Sequence, residues 1–323
     1  MRKQLPFHFV GAILAMAFFV PPNAAAQQAA PADALPFTLK PLGHNVYAAI
    51  DGPKGGAGAN AGFVIGDDGV LVVDTFESLD AAKALLAEIR KLTPLPVKYV
   101  VNTHYHLDHT GGNKVFQDAG AAVIAHRNVP GWIHTENLKF FGKNIKPEQK
   151  AMVEALGSPN LVYDQNIGVT LGAVAVYIRY FPGHTGGDSV VFIPSAGVVF
   201  GGDLFWNHTL PNLIDASTEP WISTLTEILK RAPSAAFVPG HGDVGKGADV
   251  EAFRGYLQDI RSMTEAPARA GKTGDDLGNA VMPGLQEKYG QWNFFKYFAK
   301  PNIIDTAAEW TGTKRGPQPS PSD

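Results

Sequence analysis

Thr103-His104-Tyr105-His106-Leu107-Asp108-His109-Thr110-Gly111-Gly112 places three histidines and one aspartate within six residues. Imidazole nitrogen and carboxylate oxygen are donors that borderline and hard divalent metals accept. His104 and His106 are two positions apart, so a rigid loop can aim both at one ion, while Asp108 and His109 face a second beside it. Further along, His184, Asp203 and His241 each stand next to glycine. The bland alternative is a set of ordinary surface or core histidines. The chain holds only ten histidines, and three of them fall in this one loop after an apolar run, which weighs against that alternative. Together the seven residues read as a two-metal site.

Short loops after buried strands hold such groups with little ordering left to do on binding. Val97 to Asn102 has strand character and delivers the first loop. Strands are also expected over Phe37–Lys40, Asn45–Ile50, Ala61–Ile65 and Val70–Asp74, the last two forming a hairpin around Gly66-Asp67-Asp68-Gly69. Ser78 to Leu92 carries Leu79, Ala82, Leu85, Leu86, Ile89 and Leu92 at helical spacing, and Thr93-Pro94 stops it. Short helices are expected over Asn113–Ala119 and Asn128–Asn137 around a strand at Ala122–Ala125. On that reading His126 and His134 are surface or capping residues rather than ligands. In the second half, strands are expected over Leu161–Tyr163, Ala173–Phe181, Ser189–Ile193, Val198–Gly201 and Ala236–Pro239, with a helix over Trp221–Arg231. Each candidate ligand then follows a strand, the usual place for sites in layered α/β folds. Val250–Glu265 and Ile303–Trp310 read as helices of a C-terminal extension. Periodicity alone supports only mixed α and β.

H-x-H-x-D-H with Gly-Gly, then Gly183-His184-Thr185, Gly201-Gly202-Asp203 and Pro239-Gly240-His241-Gly242, resembles the metallo-β-lactamase superfamily over roughly residues 37 to 245. The first motif is highly specific; the later ones fall in the expected order and spacing. The resemblance implies a four-layer αβ/βα sandwich. It also implies that His104, His106 and His184 hold one metal, that Asp108, His109 and His241 hold a second, and that Asp203 bridges them. Two zinc ions are expected, although iron and manganese suit the same donors. Such a pair, about 3.5–4 Å apart, shares a hydroxide that attacks a carbonyl or phosphoryl centre. Asp108 is the candidate catalytic residue, orienting the nucleophile or carrying a proton. Asp74 is a candidate to orient a metal-bound histidine from behind, with a helix-capping or turn aspartate as the alternative. Asn207 and His208 are candidates to hydrogen-bond a substrate oxygen, with simple loop residues as the alternative. Trp132, Phe140 and Phe141 either wall a substrate cleft or belong to the core. The glycine-rich loop 52–60 lacks a G-x-G-x-x-G order, so a phosphate cradle is not expected there.

Gly201-Gly202-Asp203-Leu204-Phe205 and His109 look more like glyoxalase II than like the commonest lactamase subclass, which has cysteine at the third glycine-motif position. Trp206 stands where those lactamases place a substrate-gripping lysine. Compartment points the other way. Arg2-Lys3, the apolar run Phe9–Val20, Pro21-Pro22 and Ala24-Ala25-Ala26 read as a signal peptide cleaved near Ala26, giving an exported, periplasmic or secreted protein. An exported enzyme rarely meets cytosolic glutathione thioesters, whereas β-lactams act in the periplasm. The expected activity is therefore hydrolysis of an amide or ester bond, with a β-lactam or lactone favoured. A mononuclear iron dioxygenase resembling persulfide dioxygenases, using His104, His184 and Asp203, is the alternative. A non-catalytic scaffold fits least, because no ligand is missing.

Composition agrees with a globular chain: 323 residues, 45% hydrophobic and 18% charged, with no cysteine for disulfides or thiolate ligands. The net charge of −3 becomes −5 if Arg2 and Lys3 are removed with residues 1–26, which disfavours nucleic acid as a partner. A small-molecule substrate is expected, with no stable membrane anchor after cleavage. The expected organisation is a signal peptide at 1–26, a flexible lead-in at 27–36, the metal-binding domain at 37–248, the helical extension at 249–315 and a disordered tail at 316–323.

Overall fold

The computed structural model describes residues 35–52 and 56–317. The expected signal peptide, most of the lead-in, residues 53–55 of the glycine-rich loop and residues 318–323 lie outside the described residues.

Two sheets face each other. The first has seven strands in sequence order: β1 (Phe37–Gly43), β2 (Val46–Asp51), β3 (Ala61–Ile65), β4 (Val70–Val73), β5 (Val97–Val101), β6 (Ala122–His126) and β7 (Leu161–Tyr163). Strands β1 to β4 pair antiparallel, and β4 to β7 pair parallel. Parallel pairing needs crossovers, which come from α1 (Leu79–Leu92), the short α2 (Leu107–Thr110) and α3 (Asn113–Asp118), and then α4 (Val129–Trp132), a 3-10 helix (Glu136–Phe141) and α5 (Pro147–Glu154). The second sheet runs β12-β11-β10-β9-β8, from β8 (Asn166–Leu171), β9 (Val174–Tyr180), β10 (Ser189–Ile193), β11 (Val198–Trp206) and β12 (Ala236–His241). Helix α6 (Thr218–Arg231) connects β11 to its parallel partner β12. Helices α7 (Gly247–Arg269), α8 (Gly274–Tyr289) and α9 (Phe295–Trp310) follow.

Side-chain alternation shows why both faces of each sheet are covered. In β4, Val70 and Val72 join the apolar cluster beneath α1, with Leu85, Ile89 and Phe116. Leu71 and Val73 turn the other way, into a cluster shared with Val176, Ile178, Val191 and Phe200 of the second sheet. The outer face of the second sheet packs on α6 to α9 through Phe205, Trp221, Phe253, Tyr256 and Ile303. The result is the four-layer αβ/βα sandwich. At about 1.5–3 kcal/mol for each large apolar side chain removed from water, these three clusters dominate the stabilisation.

Several local expectations change. In α1, Leu79 and Leu92 are exposed at the two ends, while Ser78 caps the helix by accepting from the Ala81 amide. The expected helix over 128–137 breaks after Trp132, because Asn137 is used elsewhere. Its side chain accepts from the Leu107 amide at 2.9 Å and donates to the Tyr105 and Ile133 carbonyls. Strand β8 was not among the expected strands; it is an edge strand that alternates exposed Asn166, Gly168 and Thr170 with buried Val169 and Leu171. Strand β11 does not end at Gly201. It runs to Trp206 through a register shift at Gly202, whose φ is +50°, so Asp203 lies inside a strand. His126 is buried and stacked on Tyr180, with ring centroids 4.2 Å apart, and is not a surface residue. His134 is held between the Val153 carbonyl and the Ser158 hydroxyl. The C-terminal helices share one apolar cluster with the second sheet.

Candidate metal centre

Donor atoms of His104, His106, His184 and Asp203 all lie within 4.8 Å of one another, and so do those of Asp108, His109 and His241. His104 and His106 come from the loop after β5, Asp108 and His109 from α2, His184 from the loop after β9, Asp203 from β11, and His241 from the end of β12. The structure thus brings all seven sequence-predicted residues to one place.

Asp203 sits between the two groups. Its Oδ2 is 3.2 Å from His184 Nε2 and 3.7 Å from His104 Nε2. Its Oδ1 is 3.1 Å from His109 Nε2 and 3.5 Å from His241 Nε2. Asp108 Oδ2 approaches His241 Nε2 at 3.3 Å. His104 Nε2, His109 Nε2, His241 Nε2 and Asp203 Oδ1 are buried and have no hydrogen-bond partner among the described residues. Buried polar atoms without partners are costly. Several of them converging on one space is the donor set that a pair of cations satisfies, so the residues fit a binuclear metal centre.

Ring orientation is fixed from behind. Asp74 accepts from the Thr103 amide and hydroxyl, both at 2.7 Å, and its Oδ2 lies 2.9 Å from His109 Nδ1. Asp74 holds this position at a φ of +58°, a strained backbone for a non-glycine residue. Thr103 Oγ1 stands 3.0 Å from His104 Nδ1. His106 Nε2 lies 3.1 Å from Asp215 Oδ2, and Asp215 also accepts from the Tyr105 hydroxyl and the Lys139 ammonium, both at 2.5 Å. Each of these contacts leaves the opposite ring nitrogen aimed at the centre.

Electrostatics divides the histidines. Burial and then the neighbouring His109 hold His104 well below the ordinary histidine value, and burial lowers His106. Against burial, Asp203, Asp108 and Asp74 hold His109 well above that value. His241, also against burial, is pushed up to about 9, chiefly by Asp203 and Asp108. The carboxylates that favour a proton on these rings equally favour a divalent cation in its place.

Above the centre opens a cavity of about 280 Å³. His106, Asp108, Asp203 and His241 form its floor, and Leu107, Phe140, Phe141, Trp206, Phe294 and Phe298 its mostly apolar walls. Trp206 stacks on His241 at 4.0 Å and donates its indole N–H to the Asp203 carbonyl. Glu77 and Gly58 close one side. Burial, then Asp108 and Asp51, push the Glu77 carboxyl up to about 7. Trp132 is core, packed edge-on against Tyr105, and is not part of the cavity wall.

Asn207 and His208 do not reach this space. Asn207 Nδ2 donates to the Asp243 carbonyl at 2.8 Å. The exposed His208 ring lies near Asp249 and Trp292. A register shift in β11 carries the chain past the centre before these two residues, and their alternative reading as loop residues describes them. Sequence reasoning missed Asp215, Glu77, Phe294 and Phe298. Only Glu77, three positions after Asp74, had a nearby signal.

The family model described as Metallo-beta-lactamase superfamily matches residues 55–241. The chain is 25% identical over 272 residues to the linear primary-alkylsulfatase of a Pseudomonas strain, covering 69% of this chain and 51% of that protein. It is 26% identical over 190 residues to the type 2 metallo-beta-lactamase of Bacillus cereus, covering 55% of this chain and 64% of that one. The chain therefore spans between half and two thirds of the length of these relatives. Among solved structures, a metallo-beta-lactamase from Pontibacter korlensis superposes with a TM-score of 0.57 at 24% identity, covering 69% of this chain and 99% of that one.

Proposed function

The chain belongs to the metallo-beta-lactamase superfamily of metal-dependent hydrolases, and from that premise we propose an exported, binuclear zinc hydrolase that cleaves an amide or ester bond in a small molecule, with a β-lactam or lactone favoured. The observation that carries this reading is Asp203, whose two oxygens each face a separate histidine group. A single-iron centre on His104, His184 and Asp203 would leave the second converging donor group, Asp108, His109 and His241, without an ion, which favours two ions.

His104, His106, His184 and Asp203 would hold the first ion, and Asp108, His109, His241 and Asp203 the second. Two divalent ions there would activate water and polarise the scissile carbonyl. The chain's own residues supply the rest. Asp74, Thr103 and Asp215 fix three imidazoles in orientation. Asp108 is the one ligand with appreciable exposure, 31% for its side chain, and it borders the cavity. Despite burial, His109 and His241 keep its carboxyl below the usual range. Its Oδ2, the oxygen nearest His241 and His109, would hold the second ion, and from the cavity edge the carboxylate can orient the attacking water. The aromatic walls exclude bulk water from the reacting bond.

A sulfate ester is a second reading. It is supported by the alkylsulfatase relative and by the apolar walls, which suit an alkyl group. Export rests on the N-terminal signal pattern.

Metal content of the purified protein, measured with hydrolysis of a chromogenic cephalosporin, a lactone and an alkyl sulfate, tests the proposal. About two zinc ions per chain and chelator-sensitive turnover of the first or second substrate are expected. Turnover of the alkyl sulfate alone moves the assignment to the second reading. One iron per chain without hydrolysis overturns both.

A further inference from the structure

The cavity above the metal centre is selective in a way the ligand set does not dictate. Its walls are aromatic, and among the described residues that line it there is no lysine or arginine. Two of those aromatics, Phe294 and Phe298, lie beyond residue 241, where the superfamily match ends. They belong to the start of α9, which is pinned to the chain after β11. The Asn293 amide donates to the His208 carbonyl, and the Leu210 amide to the Asn293 carbonyl, both at 2.9 Å. Phe294 is held at a φ of +61°, a costly conformation for a residue with a side chain. Its ring meets His241 at 6.3 Å, Trp206 at 6.5 Å and Phe298 at 5.8 Å, yet it stays 42% exposed. An apolar ring kept in strain beside a ligand histidine, with half its surface uncovered, leaves apolar area for something else to cover.

The cavity lining also holds an acidic side chain outside the two ligand groups. Glu77 lines the cavity beside Asp108, and its carboxylate has no hydrogen bond or ion pair among the described residues. Gly58, at φ +87°, keeps this arrangement tight, since a Cβ there would lie 2.8 Å from Glu77 Oε2. We infer that this cavity takes an uncharged, apolar alkyl or aryl group attached to the bond being cleaved, with Phe294 and Phe298 supplying its surface, and that Glu77 excludes substrates whose same group ends in a carboxylate. This deepens the hydrolase reading and rests on it for the identity of the cleaved bond. It selects substrates whose apolar group is neutral over those in which that same group ends in an acid.

Two non-hydrolysable probes separate this from the activity itself: 4-nitrophenyl hexyl ether and 6-(4-nitrophenoxy)hexanoate, identical except for the terminal carboxylate. Binding to the full protein is read by tryptophan quenching and by calorimetry in mildly alkaline buffer. The neutral ether is expected to bind at least about tenfold tighter, the scale of charge discrimination at a partly buried site. Phe294→Ala should weaken the ether about fivefold, the loss of roughly one methylene of contact. Glu77→Gln should leave the ether unchanged and strengthen the acid several-fold. A matched series of 4-nitrophenyl esters should then show kcat/KM rising about threefold per methylene until the cavity is filled. Equal binding of the two probes overturns the inference, as does a Phe294→Ala protein that binds the ether as the parent does. Binding with the stated preference but no cephalosporin, ester, lactone or sulfate turnover leaves the inference standing and removes the hydrolase reading. Chelator-sensitive turnover with no preference between the probes does the reverse.

Discussion

Gly240 makes room for Asp203: a Cβ at position 240 would lie 1.8 Å from Asp203 Oδ1, the oxygen that faces His109 and His241. No side chain fits there while Asp203 keeps its place, so the glycine before His241 is a requirement of the centre. Gly240→Ala is expected to displace the carboxylate and lower metal content toward one ion per chain. Turnover should fall by about two orders of magnitude or more, the scale seen when a metal site's supporting groups are lost. Metal analysis and far-UV circular dichroism on the same sample check this; a folded variant with full metal content would refute it.

Asp74 is not one of the candidate ligands, yet it supports two of them, His109 directly and His104 through Thr103. Replacing it with Asn keeps the shape and tolerates the positive φ of +58°, but removes the charge that faces His109 Nδ1. Asp74→Asn should weaken metal affinity about 10–100-fold, read by competition with a chromophoric chelator. Unchanged affinity would reassign Asp74 to a purely structural bond with Thr103.

Metal removal should also appear as lost stability. Most of the donors are buried, and several of their nitrogens have no hydrogen-bond partner among the described residues. A ligand that binds only the folded state adds RT ln(1 + [L]/Kd), about 4 kcal/mol at a thousandfold excess over Kd. The urea midpoint should therefore fall on chelation and recover with zinc. A midpoint indifferent to chelator would argue against a metal in this space.

What could be read from the sequence follows what was local. The 103–112 loop announced its chemistry because its donors are contiguous. His184, Asp203 and His241 were legible because glycine sits next to each one. The glycines turn out to be steric necessities, as at Gly240 and at Gly202, where a Cβ would stand 2.5 Å from Thr103. The misses are residues whose role exists only across a long separation. Asp215 is 109 positions from His106, and nothing near it in sequence marks a partner. Phe294 and Phe298 stand at the start of α9, ahead of the Ile303–Trp310 stretch expected as a helix, and amphipathic spacing says that a helix packs but not against what. Asn207 and His208 were misplaced by a strand that continued where glycines suggested its end.

His126 gives a pH dependence separate from the metal chemistry. It is buried in β6, stacked on Tyr180, and its Nδ1 accepts from the Asn128 amide. Burial holds its pKa below the ordinary histidine value, outweighing the pull of Asp164. The folded state then resists a proton that the unfolded chain accepts near pH 6.5. Below that pH the unfolded state binds more protons, so stability from this residue is full above about 6.5 and falls as the solution is acidified, by at most about 1.4 kcal/mol per pH unit for one proton. The loss stops growing once the pH drops below the folded-state value. His126→Phe keeps a ring against Tyr180 and removes the titration. Urea midpoints of the two proteins, both chelator-treated so that metal release does not contribute, should diverge as pH falls from neutral, with the variant less acid-sensitive. A difference that stays constant over that range would mean that the buried imidazole takes up its proton as readily as the unfolded chain does.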